Sequence, residues 1–186
     1  MAENHELPKI TLFLDVDQTI LFQTSSSAKD FDYNFTVNPF EYRMKKRPYL
    51  DEFLDFCSTH FNVYLFTARD REFTTKIFDF LNTPNKRILD FFTNDDFKNR
   101  RKDIQILKTP LERTLLIDDW SSATPIKRNL YVIKPYKGEY DTELNNLITL
   151  LKKLEYQPDI RYYLQNNMQT SKMPISASTP VLLNIE

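Results

Sequence analysis

The stretch Lys9-Ile10-Thr11-Leu12-Phe13-Leu14-Asp15-Val16-Asp17-Gln18-Thr19-Ile20 decides the fold. Ile10, Leu12, Phe13 and Leu14 form a nearly continuous apolar run, the pattern of a strand covered on both faces of a parallel sheet. Asp15 and Asp17 come where that strand should end. In an open α/β sheet, ligands sit in the crevice beyond the carboxyl ends of the strands, so two acids placed there read as functional. One carboxylate can attack an electrophile while a neighbour two residues away donates or accepts a proton. Both charges need a counter-ion, and Mg²⁺, which prefers oxygen ligands, suits them if a phosphate is present. Taken alone, Asp-x-Asp-x-Thr also fits two solvated acids in a polar turn, so the rest of the chain has to separate the two readings.

The chain has 186 residues, 41% hydrophobic and 27% charged, which suits one globular domain with a real core. A net charge of -1 gives no electrostatic reason for an obligatory nucleic-acid partner. The single cysteine, Cys57, cannot form an internal disulfide, which fits a reducing compartment. No segment is apolar for the roughly 18 residues a membrane span needs, and the N-terminus lacks the pattern of a signal peptide. The expectation is a soluble intracellular protein of the nucleus or cytoplasm, with no membrane partner. A single glycine, Gly138, stands against ten prolines. Glycine-rich phosphate loops are therefore excluded by count, and any phosphate site must use side chains, a metal and ordinary backbone amides.

Outward from the first strand, residues 1–8 read as a flexible leader and 23–29 as a polar surface loop. Phe31, Tyr33, Phe35 and Val37 alternate with polar residues, Asn38-Pro39 interrupts, and Phe40, Tyr42 and Met44 alternate again, which predicts a β-hairpin. Its aromatic stripe can be core packing or one wall of a substrate groove. Leu50, Phe53, Leu54 and Cys57 share a helical face over 49–60, with Pro48 in the first turn and Cys57 a buried spectator. A second core strand, 63–67, ends in Thr67. That residue can hold a phosphoryl oxygen or cap the next helix, whose buried face is Phe73, Ile77, Phe80 and Leu81. Residues 88–93 predict a short strand or edge, and 94–102 a polar stretch with a basic end, ordinarily a solvated face. The third apolar strand, 114–117, runs into Asp118-Asp119. A strand at 131–133 follows, then a helix capped by Asp141 or Thr142, burying Leu144, Leu147, Ile148, Leu151 and Leu154, and a helical turn near Tyr162 to Leu164. The folded domain is expected over 9–165, with a flexible Ser/Thr/Pro-rich tail over 166–186.

Asp15-x-Asp17-x-Thr19, Thr67 after a strand, Lys102, and Asp118-Asp119 after a strand together resemble the haloacid-dehalogenase superfamily of phosphotransferases. Leu-Phe-Leu-Asp-Val-Asp-Gln-Thr-Ile at 12–20, Lys-Arg-Pro-Tyr-Leu-Asp-Glu-Phe-Leu at 46–54, Leu-Phe-Thr-Ala at 65–68 and Lys-Asp-Ile at 102–104 resemble its small-phosphatase branch. That branch acts on the C-terminal domain of RNA polymerase II and related phosphoproteins. The resemblance, over roughly 9–155, implies a Rossmann-like α/β core with a central parallel sheet, a β-hairpin insertion after the first strand and no lid domain. It implies Asp15 as nucleophile, Asp17 as general acid and then base, and Thr67 and Lys102 around the phosphoryl group. Mg²⁺ would be held by Asp15, the backbone oxygen of Asp17 and Asp119, with Asp118 in or beside that shell, while Thr19 orients the loop. Gln18, Asp119 and Trp120-Ser121 depart from the small-phosphatase pattern, and Asp118-Asp119 is closer to the larger polymerase-tail phosphatases.

Neither interval flanking Thr67 holds enough chain for a folded lid, and an open site suits a flexible phosphopeptide. The expected function is Mg²⁺-dependent hydrolysis of phosphoserine or phosphothreonine in proteins. The alternatives are a capless phosphatase for nucleic-acid ends or phosphosugars, and a non-catalytic phosphopeptide-binding module of the same fold.

Overall fold

The structure, a computed structural model, describes residues 7–168; most of the predicted leader and nearly all of the predicted tail lie outside them. The strands are β1 (Thr11–Leu14), β2 (Leu21–Gln23), β3 (Tyr33–Val37), β4 (Phe40–Lys46), β5 (Asn62–Phe66), β6 (Asp90–Phe92), β7 (Thr114–Asp118) and β8 (Leu130–Val132). The helices are α1 (Leu50–His60), α2 (Arg71–Leu81), α3 (Glu143–Leu154) and α4 (Ile160–Met168). The last of these extends the predicted turn into a helix that passes the expected domain end at 165.

Five strands form one parallel sheet in the order β6-β5-β1-β7-β8. The chain winds outward from β1 through β5 to β6, then crosses back to β7 on the other side. β1 and β7 therefore flank the point where the winding reverses, and the crevice beyond their carboxyl ends is where such sheets bind ligands. Every residue of β1 is buried, in keeping with its nearly continuous apolar run. Leu12 and Leu14 join Leu65 and Ile117 in a cluster with the apolar faces of α1, α2 and α3, whereas Phe13 and Leu116 pack on the opposite face with Phe66, Ile104 and Ala123. That second face is covered by connecting segments, including the one that carries Lys102. This asymmetry positions the site, because side chains alternate along a strand. Asp15 and Asp118, two residues beyond Phe13 and Leu116, project to the same side as those residues.

The predicted hairpin is present, and β2 pairs with β4 to complete a three-stranded antiparallel sheet, β2-β4-β3. Tyr33, Phe35 and Tyr42 pack inward, while Phe40 at the turn is exposed. Tyr33 stacks on Phe80 at 4.2 Å, and Phe35 and Tyr42 meet the Phe73 ring edge-on at 5.1 and 5.0 Å. Of the two readings of the stripe, core packing is the one realised. Pro48 lies before the α1 cap rather than in its first turn, because Tyr49 holds the cap position with a left-handed backbone, φ 66°. The lone glycine sits where a side chain would not fit: a Cβ at Gly138, φ 87°, would stand 2.9 Å from the Phe22 ring.

Candidate active site

The loop after β1 is folded back tightly. The amides of Ile20 and Leu21 both donate to the Val16 carbonyl, at 3.1 and 3.0 Å, and the Gln18 amide donates to Leu21 O at 2.8 Å. Gln18 pays for this tightness with a positive φ of 59°, and its carbonyl accepts from the Tyr136 amide. Beneath the loop lies Arg47, buried, donating to the Thr19 carbonyl at 2.8 Å, to Lys134 O at 2.8 Å and to both oxygens of Asp141. Asp141 also accepts from the Glu143 amide, so of the two residues expected to cap α3 it is Asp141 that supplies a side-chain bond. Arg47 belongs to the 46–54 motif, and its distant partners are what give it a role.

Asp15 of the loop and Asp118 at the end of β7 meet at Lys102. Its ammonium donates to Asp15 Oδ1 at 2.5 Å and to Asp118 Oδ2 at 2.6 Å, and all three side chains are buried. Asp15 Oδ2 accepts from the Thr19 hydroxyl at 3.1 Å. Thr19 thus fixes the carboxylate itself, a more direct task than orienting the loop. The second oxygen of Asp118 accepts from the Trp120 amide at 2.8 Å. The basic stretch 98–102 is consequently not one solvated face, since its last member is in the core of the site.

Burial pushes Asp15 up to about 7, against the pull of Lys102 and with a further push from Asp118. Asp119 is raised too, by burial first and then by Asp118. For Lys102, burial opposes the charge, but the attraction of Asp15 and Asp118 outweighs it and holds the ammonium above its usual range. Asp15, Asp118 and Asp119 each offer an oxygen within 4.8 Å of the others. Four acids, counting Asp17, face only Lys102 and Arg69 as close cations among the described residues. The surplus of negative charge and the all-oxygen donor set fit a hard divalent cation.

Asp17 has a different partner. Arg69 grips it in a fork, Nε to Oδ2 at 2.9 Å and Nη2 to Oδ1 at 2.6 Å, and reaches Gln23 Oε1 at 2.8 Å. The guanidinium lies 4.4 Å over the Phe73 ring. Arg69 immediately follows the 65–68 motif, and a cation directly after a strand that ends beside two acids is the sequence signal for it. The side chain of Asp17 stands outside the three-acid group, so its implied metal ligand is the backbone oxygen alone. Thr67 does not cap α2: Asp70 does, accepting from the Phe73 amide at 2.9 Å. Thr67 is buried, and its hydroxyl accepts from the Arg69 amide at 3.2 Å.

A pocket of about 170 Å³ opens over these groups, lined by Asp15, Asp17, Lys102 and Asp119 with Phe97 and Trp120 as its aromatic walls. No hairpin aromatic lines it. The aromatic walls of this pocket come instead from segments after β6 and β7, while Tyr33, Phe35 and Tyr42 pack on α2.

Comparison with known proteins agrees with this arrangement. The chain is 28% identical over 177 residues to CTD small phosphatase-like protein 2 of Dictyostelium discoideum, covering 90% of this chain and 31% of that protein. It is 30% identical over 174 residues to Nuclear envelope morphology protein 1 of Schizosaccharomyces pombe, covering 85% and 36%. The chain thus spans about a third of the length of these two relatives. A solved structure of fission yeast RNA polymerase II CTD phosphatase Fcp1 bound to beryllium fluoride superposes with a TM-score of 0.59 at 18% identity, covering 88% of this chain and 56% of that one, a likeness of fold. The model of the NLI interacting factor-like phosphatases matches residues 10–161, from the strand before the two acids to the start of α4. With the fold, the acid loop and the buried lysine all inside that match, the chain belongs to the NLI interacting factor-like phosphatase family, on the haloacid-dehalogenase core.

Proposed function

We propose that this chain is an Mg²⁺-dependent phosphatase acting on phosphoserine and phosphothreonine in proteins through an aspartyl-phosphate. The observation that carries the reading is the buried Lys102 ammonium joining Asp15 to Asp118 at the point where the sheet's winding reverses. An anionic nucleophile cannot approach an anionic phosphate without charge compensation, and a cation fixed against the nucleophile supplies it. Thr19 and Lys102 hold the Asp15 carboxylate by one oxygen each, which sets its direction of attack.

In the first step an Asp15 oxygen forms a bond to phosphorus as the bond to the seryl or threonyl oxygen breaks, and Asp17 delivers a proton to that oxygen. In the second, Asp17 accepts a proton from water, which attacks phosphorus and releases Asp15 and inorganic phosphate. Arg69 fixes Asp17 against Phe73 and Gln23, so that it stands over the pocket in both steps. Thr67, whose hydroxyl donates to nothing among the described residues, is suited to a phosphoryl oxygen. Asp15, the Asp17 carbonyl and Asp119 would hold Mg²⁺, with Asp118 beside them holding Lys102; the ion would neutralise charge on the phosphoryl oxygens.

The site has no lid among the described residues, which favours a flexible phosphorylated chain over a small metabolite. No helix among them is long and apolar enough to cross a membrane. An intracellular setting, nuclear or cytoplasmic, fits the free buried Cys57 and the relative named for the nuclear envelope. The test is a panel of phosphopeptides, phosphosugars and phosphorylated nucleic-acid ends, assayed with and without Mg²⁺. Turnover of phosphoserine or phosphothreonine peptides that requires Mg²⁺ is expected. Turnover confined to sugars or nucleic-acid ends would replace the substrate class, and binding without turnover would leave a phosphopeptide-binding module.

A further inference from the structure

A second cleft, of about 350 Å³, adjoins the catalytic pocket, and Lys102 lines both. Its other walls are Lys98, Asn99, Arg101, Asp103, Gln105, Pro125 and Ile126. The chain turns sharply at Asn99-Arg100, both left-handed at φ 52° and 60°, while Lys98 and Arg101 exchange backbone hydrogen bonds at 2.9 and 3.1 Å. Residues paired in this way put their side chains on the same face. A turn that usually recruits glycine is thus built here from two larger residues, and its result is to set the side chains of Lys98 and Arg101 together.

These cations are poorly neutralised. Among the described residues Arg101 has no carboxylate partner, and Lys98 has only a long contact, 3.9 Å, with Asp103, the single acid of the lining. Lys127, which follows Ile126 and donates to Ser121 O at 2.6 Å, adds a third positive charge. Slight burial and then the repulsion of Arg101 hold its ammonium below the usual range, so Lys127 stands close to Arg101, beside the cleft though not among its lining residues. Natural proteins rarely gather like charges around a cleft unless a ligand of opposite sign completes it.

We infer that this cleft is a second phosphate subsite, which holds another phosphorylated side chain of the same peptide while the first occupies Asp15. Arg101 would take that phosphate with its planar fork, and Lys127 and Lys98 would add point charges. The inference rests on the protein-phosphatase reading and adds to it a preference for multiply phosphorylated segments. An extended peptide advances about 3.3 Å per residue with alternate side chains on one side, so a second phosphate about two residues from the first, on the same side, is suited to a cleft that begins at the same lysine.

The experiment compares peptides bearing one phosphoserine, two phosphoserines at varied spacing on either side, or one phosphoserine with glutamate in the second place, together with a small aryl phosphate. Proteins tested are the wild type, Arg101→Ala, Lys127→Ala and the double variant. The wild type should show kcat/KM about tenfold or more higher on the best-spaced doubly phosphorylated peptide, the size of one charge-assisted contact. Arg101→Ala should remove most of that gain, Lys127→Ala part of it, and neither should change aryl phosphate turnover. No gain in the wild type, an equal gain from glutamate, or loss of aryl phosphate turnover in the variants overturns the subsite. If the wild type hydrolyses the aryl phosphate and none of the peptides, the protein-phosphatase reading falls, and the subsite with it.

Discussion

Asp15 is an acid held where burial opposes its charge, and that conflict is measurable without any substrate. Its folded-state pKa, about 7, lies above the ordinary carboxylate value near 3.9, so between those values the folded protein binds more protons than the unfolded chain. Stability from this group is present below the unfolded value and is lost as pH rises through about 7. Asp15→Asn removes the titration, so in metal-free protein the Tm of the variant relative to wild type should climb between about pH 4 and pH 7. A difference that stays flat over that window, by calorimetry, would show that Asp15 is an ordinary solvated acid. Lys102 carries the complementary expectation. Lys102→Ala leaves Asp15 and Asp118 repelling each other and the phosphate, and kcat on an aryl phosphate should fall on the order of 10²-fold or more. Lys98→Ala and Arg100→Ala, at exposed positions, should cost far less on that substrate. Equal losses at all three would assign the charge compensation to the wrong lysine.

At the scale of elements, the strands were the most legible part of the chain. Runs such as Leu12 to Leu14 and Leu115 to Ile117 are apolar on both faces, and only a strand in the middle of a parallel sheet buries every residue. The hairpin was legible as a hairpin, since alternation fixes pairing, but alternation does not say what the apolar side packs against. That depends on α2, whose Phe73 and Phe80 come well downstream in the sequence and meet Phe35, Tyr42 and Tyr33 only through the tertiary fold. Phe35 is buried between Tyr42 and Phe73, so Phe35→Ala should destabilise the domain by about 3–5 kcal/mol in urea denaturation. Turnover per folded molecule should be unchanged, on aryl phosphate and phosphopeptide alike. A selective loss of phosphopeptide turnover without loss of stability would return the hairpin to the role of a groove wall.

Across the whole molecule, the site brings together residues from four separate segments: the β1 loop, the loop after β5, the 98–102 turn and the end of β7. Asp15, Asp17, Lys102, Asp118 and Asp119 could be found because each sits in a recognisable local pattern. Arg47 lies inside the 46–54 motif, Arg69 directly after the 65–68 motif and Trp120 directly after Asp118-Asp119, but their positions in the sequence do not say which distant groups they meet, and the tertiary fold alone gives Arg47 to Asp141 and Arg69 to Asp17. Thr67 shows the same limit from the other side, since its cap reading depended on where α2 begins, and Asp70 takes that position. All these segments serve one claim, that Asp15 carries the phosphoryl group between substrate and water. The direct measurement is an acid quench during turnover of a phosphopeptide with Mg²⁺, borohydride reduction of any acyl phosphate, and mass spectrometry of the digested chain. Conversion of Asp15 to homoserine in the wild type, absent without substrate and absent in Asp15→Asn, is expected. Sustained turnover with Asp15 unmodified under every quench condition, or with the label on another residue, would contradict the role given to Asp15.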